Sequence, residues 1–425
     1  MAATVSKVQQ SAQRRERFRK YMRNLNPNEP AKMTIEAGLV VEILHDDLFR
    51  KLAARADLDP GSQQLLVGGV GSGKTTELLM AEQWLTQQGQ TFSLYIDISA
   101  ETDLSVLNSG ALLAGFGLHL ADAVARDGVG DTLDADHKNA LKAAHSQIRE
   151  FAFGTTKSTL VPYDDEPLPD DDDFGDQEPG YFVTTKVPGQ LKPPFPALQR
   201  DIEAIRGPLA AFIDALQARS LDVVIIFDGL DRLFSPDKFW AVVDQDFRAL
   251  RRSRVAVLAA APVSVLYGAG RSISEHFDRV HHIPALGAGP LDKDYLLAIL
   301  MHRGGTDLLE PDDAEFICGS SGGVLRDLIT LARDAGEAAY IEGSDRILPE
   351  HAKLAVKQMG ESYRRGLGPE QLKILRRLDT EHSFDVASSS GIELLVTGRV
   401  LEYSATDFRV HPALRPLILG PEQSG

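Results

Sequence analysis

The chain is expected to fold as an α/β protein: a phosphate-loop core on a parallel, doubly wound sheet, then a helical lid and a small winged-helix domain. Three observations predict this. The stretch LLVGGVGSGKTTELLMAEQWL (65–85) sets G-x-x-x-x-G-K-T between an apolar run and a helical pattern. A continuous apolar run from Val223 to Phe227 marks a strand buried on both faces. Strands and helices alternate to about residue 288, and beyond it the pattern is helical until a last alternating segment.

The elements follow in order. Residues 1–35 read as a basic N-terminal arm, in which RRERFRKYMR (14–23) sets six cations against Glu16 before Pro27 and Pro30 break the pattern. Such a helical face suits a phosphate backbone, an acidic partner surface or plain solvent. The core is expected over 36–288. A helix from about Val41 to Ala56 precedes the first strand, and the helix after the glycine loop runs to about Gln88. TFSLYIDIS (91–99) alternates and is β-branched, a strand. Helices are expected over 104–125 and on to about Phe153. VPYDDEPLPDDDDFGDQEP (161–179) then carries nine acidic residues, four prolines and no cation, so an exposed insertion is expected over about 155–195. FPALQRDIEAIRGPLAAFIDALQA returns as helix into the Val223 strand, and VAVLAAAPV (255–263) and VHHIPAL (280–286) are further strands. Over 289–360 a lid of helices is expected: Leu291, Tyr295, Leu296, Ile299 and Leu300 fall at helical spacing, and Pro311 opens the next helix. Over 361–425, PEQLKILRRLDTE and SSGIELLVTGRV read as two helices and LEYSATDFRV as a wing, the outline of a winged helix-turn-helix.

The loop makes the core a P-loop NTPase by chemistry. Gly68, Gly69, Val70, Gly71, Ser72 and Gly73 allow backbone N–H groups to curl around phosphate oxygens, and the following helix presents its positive end to the same charge. Lys74 then reaches the β- and γ-phosphates, Thr75 holds Mg²⁺, and Thr76 belongs to the same nucleotide-binding set. Asp228 ends a buried strand where open α/β sheets place their ligands, so it is the carboxylate that holds Mg²⁺ through water. A net charge of −16 disfavours non-specific binding to nucleic acid or anionic membrane. Neither an apolar run long enough to span a bilayer nor a signal-peptide core is found. The single cysteine, Cys318, excludes an internal disulfide framework, fits a reducing cytoplasm and reads as a small core residue.

In the order of these parts, over about residues 40–420, the chain resembles AAA+ ATPases of the origin-recognition type and their relatives, the STAND signalling ATPases. GSGKTTEL adds Glu77 and Leu78 as STAND loops often do, and Asp228 to Asp231 read DGLD like their second motif. The resemblance implies ATP or ADP with Mg²⁺. Many AAA+ proteins carry a glutamate after the strand-end aspartate; Gly229 fills that slot here, so Asp231 is the candidate to orient water and hydrolysis is expected to be slow. SGGVLRDL resembles the sensor 2 motif and would aim Arg326 at the γ-phosphate. Arg279 falls where these proteins place the arginine finger that completes a neighbouring subunit's site, with Arg271 as competitor. No polar residue precedes Ser264 at the sensor 1 position, a departure from the pattern. FRVHPALRPL resembles the motif in which a STAND histidine touches the ADP β-phosphate, which assigns that role to His411, although Val410-His411-Pro412 differs from the better known Met-His-Asp.

The resemblance thus implies a cytoplasmic, self-associating ATP switch acting on a separate protein partner or effector, with bacterial anti-phage or stress signalling as a setting. The alternative is an origin-recognition-like or transposition-type loader that grips duplex DNA through its winged helix and basic arm. Lys373, Arg376 and Arg377 lie on one helix, but the presumed recognition helix offers only Arg399, which favours the protein output. A metabolic kinase would leave the lid and winged helix without work.

Overall fold

The computed structural model describes residues 2–41, 47–126, 135–153, 202–233, 235–267, 273–287 and 290–419. The acidic insertion expected at 155–195 and the competing Arg271 lie outside them.

Five parallel strands, β1 (Gln63–Gly68), β2 (Thr91–Asp97), β3 (Asp222–Asp228), β4 (Ala256–Pro262) and β5 (Arg279–Ile283), stand in the order β2-β3-β4-β1-β5. Every residue of β1 and β4 is buried, as strands covered on both faces by helices require. Before and within the sheet come α1 (Ala2–Asn24), α2 (Ala31–Glu36), α3 (Leu48–Leu58), α4 (Lys74–Gln88), the short α5 (Ile98–Glu101), α6 (Ala111–Arg126), α7 (Ala135–Phe153), α8 (Glu203–Gln217), α9 (Pro236–Arg252) and the short α10 (Ile273–His276). Alternate residues serve opposite faces. Leu65, Val67, Ile225, Phe227 and Val257 pack with α6, α7, α8 and α9, whereas Leu66, Val224, Ile226 and Leu258 pack with α3 and α4. In register, Gly68 lies beside Pro262 and Ile283, and Asp228 beside Asp97. The chemistry-bearing strand ends therefore share the C-terminal edge of the sheet.

The helix expected over 104–125 is broken. Leu104–Val106 form a single tight turn, Gly110 takes a left-handed φ of 91°, and α6 starts only at Ala111. The break is held by Asp246 of α9, which accepts from the N–H groups of Gly110 at 2.6 Å, Leu112 at 2.9 Å and Leu113 at 3.3 Å. A carboxylate from another helix thus satisfies donors that α6 itself leaves unpaired.

After the sheet come α11 (Pro290–Gly304), α12 (Pro311–Ser320), α13 (Leu325–Glu342) and α14 (Pro349–Arg364), then α15 (Pro369–Glu381), α16 (Ser389–Val396), an antiparallel hairpin of β6 (Val400–Ser404) and β7 (Asp407–Val410), and α17 (Arg415–Ile418). The basic stretch is one face of a helix whose other face is apolar, which is why it does not stand free as an arm. Phe18, Tyr21 and Leu25 join the cluster formed by the helices from α11 to α14. The Tyr21 ring lies between two glycines, since a Cβ on Gly304 or Gly336 would come within 2.9 and 2.7 Å of it, and its hydroxyl donates to the Ala332 carbonyl at 3.0 Å. Arg14 donates to the carbonyls of Ala339, Tyr340 and Ser344, a cation at the negative end of α13. Arg15, Arg17, Arg19, Lys20 and Arg23 remain exposed. The C-terminal module from α15 to α17 instead joins the apolar cluster of the sheet. No described helix is long and apolar enough to cross a membrane.

Candidate nucleotide site

The glycine loop leaves β1 at a point with no room for side chains. A Cβ on Gly68 would lie 2.6 Å from the Ser72 hydroxyl and 2.8 Å from the Ile283 carbonyl, and Gly71 and Gly73 hold left-handed φ angles of 81° and 99° that other residues rarely adopt. At Gly69 a Cβ would meet nothing within 4 Å. Gly73 caps α4 without any side-chain bond, so the first N–H groups of that helix, from Lys74, Thr75 and Thr76, face the loop uncapped. A loop of this shape at a helix N-terminus fits phosphate.

Lys74 is buried, yet its ammonium is fully served: it donates to the carbonyls of Gly68 at 2.9 Å and Gly69 at 2.8 Å and pairs with Asp231 at 2.9 Å. A phosphate entering the loop competes with Asp231 for that charge. Asp228 is buried at the end of β3, where burial raises its carboxyl above the ordinary range while donors from Tyr95 and Thr75 pull it back. The Tyr95 hydroxyl donates to it at 2.7 Å and the Gly229 N–H at 2.8 Å. Thr75 and Asp228 therefore meet, as a metal held between them requires. Among the described residues no group of three or more His, Cys, Asp or Glu side chains forms a metal cage. A hydroxyl and one carboxylate suit Mg²⁺, which takes its remaining ligands from phosphate oxygens and water.

Gly229 explains the missing glutamate. Its φ is 81°, and a Cβ there would fall 2.6 Å from the Asp97 carboxylate and 2.8 Å from the Ser99 nitrogen. No side chain fits at that position. Sequence reading missed Asp97 and Tyr95, which alternate along β2; the signal was two strands both ending in aspartate, and it becomes meaningful only once β2 and β3 are known to be neighbours.

Arg326 meets the loop through its backbone and Cβ. Its N–H reaches the Gly71 carbonyl at 3.4 Å, and a Cβ on Gly71 would come within 2.6 Å of its own Cβ. Two left-handed glycines make this approach possible: Gly322 and Gly323 turn the chain into α13, and a Cβ on Gly323 would clash with the Leu286 carbonyl. The next residue, Asp327, is buried and receives the Tyr363 hydroxyl at 2.6 Å and His411 Nε2 at 3.1 Å. His411 Nδ1 accepts from the Ala413 N–H at 3.2 Å, so its proton sits on Nε2 and is donated to Asp327. Fully buried, His411 has a partner on each ring nitrogen, one of them the residue beside Arg326. Arg279 is exposed at the start of β5, the sheet end opposite its own chain's loop. Ser264, the first polar residue after β4, is wholly buried in the turn that follows the strand.

A cavity of about 360 Å³ adjoins the loop. Gly69, Val70 and Ser72 line it from the core, Arg326 and Asp327 from α13, and Leu395, Val396 and Thr397 from the end of α16. The second helix of the C-terminal module thus lies over the loop, and Arg399 is spent on the carbonyls of Tyr363 and Arg365.

Sheet order, glycine loop and the helices behind it define the class: a P-loop nucleoside-triphosphatase fold with a helical C-terminal region. No protein-family model matches the chain, and no curated protein matches its sequence. Among solved structures it is similar to the Aeropyrum pernix ORC2 protein in ADPNP-ADP complexes, 17% identical with a TM-score of 0.42 over 87% of this chain and 90% of that one. It is also similar to Cdc6p from Pyrobaculum aerophilum, at 14% identity and a TM-score of 0.41 over 93% and 97% of the two chains. The Aeropyrum pernix ORC1 protein in complex with DNA is 14% identical, with a TM-score of 0.42 over 92% and 96%. At these scores the likeness assigns no chemistry.

Proposed function

We propose that the chain is an ATP-binding, slowly hydrolysing molecular switch with the part order of origin-recognition-like and STAND ATPases. One observation carries it: the first turn of α13 touches the phosphate loop through the Arg326 backbone while the adjacent Asp327 is held by Tyr363 and His411, so a contact to the loop and a contact to the C-terminal module share two neighbouring residues. Loop amides and Lys74 bind the phosphates, and Thr75 and Asp228 hold Mg²⁺, which would offset charge on the phosphate oxygens. Arg326 reads the third phosphate, and lid and winged helix answer by moving. Arg279 serves a second copy.

The output favoured is a protein partner or self-association. In this arrangement α16 packs on the core, Arg399 and Arg376 bond backbone carbonyls, and Arg377 bonds Glu381 and Ser383, so the module displays little to read bases with. A second reading, a loader on duplex DNA, is favoured by the exposed Arg15, Arg17, Arg19, Lys20 and Arg23 of α1. Anisotropy of labelled duplex with and without MgATP, over a salt series, decides between them. The protein output predicts no binding at low salt by a chain shown to hold ATP, with Lys74→Ala losing that ATP binding. Tight binding with a steep salt slope, lost on reversing Arg15, Arg19 and Arg23 to Glu, would establish the loader instead.

A further inference from the structure

We infer that Asp97 is the carboxylate that takes the proton of the attacking water, an assignment that rests on the ATPase reading above. Asp97 ends β2 directly beside Asp228 in the register of the parallel sheet, on the edge that carries the glycine loop. The position after Asp228 holds a glycine, and the volume a side chain would start in is filled from the next strand: a Cβ on Gly229 would lie 2.6 Å from Asp97 Oδ1. A carboxylate therefore stands beside that position, supplied by β2 instead of β3. Ser99 orients it, donating both its N–H at 3.0 Å and its hydroxyl at 2.6 Å to Oδ1. Among the described residues both of these bonds fall on Oδ1, which leaves Oδ2 for a water.

Asp231 is the rival, and its partner decides against it. Its carboxylate is already engaged with the Lys74 ammonium at 2.9 Å, whereas no cation pairs with Asp97 among the described residues. In the step itself the water oxygen bonds to the γ-phosphorus, and the bond from that phosphorus to the β–γ bridging oxygen breaks with its electron pair leaving on ADP. The water proton passes to Asp97 and then to solvent, giving ADP and inorganic phosphate.

The test uses the full chain, with binding of a fluorescent ATP analogue and single-turnover release of phosphate measured separately. Asp97→Asn keeps the acceptor for Ser99, so it should bind ATP within about twofold of wild type while releasing phosphate about a hundredfold more slowly, the usual reach of a general base. Asp97→Gly, in which the carboxylate is removed outright, should recover part of its rate on addition of formate, a readout that a merely structural role would not move. An Asp97→Asn variant that turns over like wild type, or an Asp97→Gly variant deaf to formate, would overturn the assignment. A wild type that binds ATP but releases no phosphate would overturn it too, yet leave the switch standing; a wild type that binds no ATP would remove the switch reading itself.

Discussion

Asp246 is wholly buried in α9 and faces the N–H groups that open α6. Burial pushes its carboxyl up to about 7, against the pull of bonds from Gly110, Leu113, Leu112 and Ser109. An unfolded aspartate titrates near about 3.9, so between about pH 4 and 7 the folded chain holds a proton that the unfolded chain has lost. The stability this group contributes is therefore complete below about pH 4 and is lost as pH rises through about 7. Asp246→Asn removes the titration, and the melting temperature of wild type relative to this variant should fall between about pH 4 and 7 and level off above that. Melting curves that stay parallel across that range would sink the argument. At this scale Lys74 and Thr75 were legible, because a phosphate loop is written in consecutive residues, and Asp228 because it ends an apolar run. Asp97, Tyr95 and Asp246 were not, because each acts on a neighbour more than a hundred residues away, brought near by the sheet or by helix packing.

Most elements were readable for a similar reason: burial on both faces forces a run of apolar residues, and β1, β3 and β4 are such runs. The helix α1 was only half readable. Its cations announce a charged face, but Phe18, Tyr21 and Leu25 fall three and four residues apart, and that spacing is the stripe by which it joins the cluster of the helices from α11 to α14. The contact depends on the absence of two side chains, at Gly304 and Gly336. Gly336→Ala places a methyl 2.7 Å from the Tyr21 ring within rigid helices, so the ring or α1 must move. We expect a loss of about 1–3 kcal/mol in denaturant unfolding, the scale of overpacking in a core. Tyr21→Ala in the same background should remove most of the added penalty, because the clash goes with the ring. Equal costs for Gly336→Ala with and without Tyr21 would place the strain elsewhere.

Across the whole molecule, α16 joins two regions that the sequence presents as separate. Leu394, Leu395 and Val396 are buried, and Leu395 and Val396 line the cavity beside Gly69, Val70 and Ser72. A nucleotide seated on the loop would then leave past the C-terminal module, and the module's hold on the core would set the rate. Leu395→Asp puts a charge where a side chain 4% exposed now packs, so the docked arrangement should be disfavoured by at least the ~1.5–3 kcal/mol of the lost apolar burial. On the switch reading, release of a fluorescent ADP analogue should speed up by about tenfold or more for a loss of that size. The radius of gyration from small-angle scattering should rise without ATP, since undocking no longer waits for a phosphate contact. His411→Ala, which removes a partner of Asp327 while leaving α16 in place, should shift release in the same direction by less. Faster release with an unchanged radius would confine the effect to the cavity wall, and unchanged release with an enlarged radius would show that the module does not gate the loop.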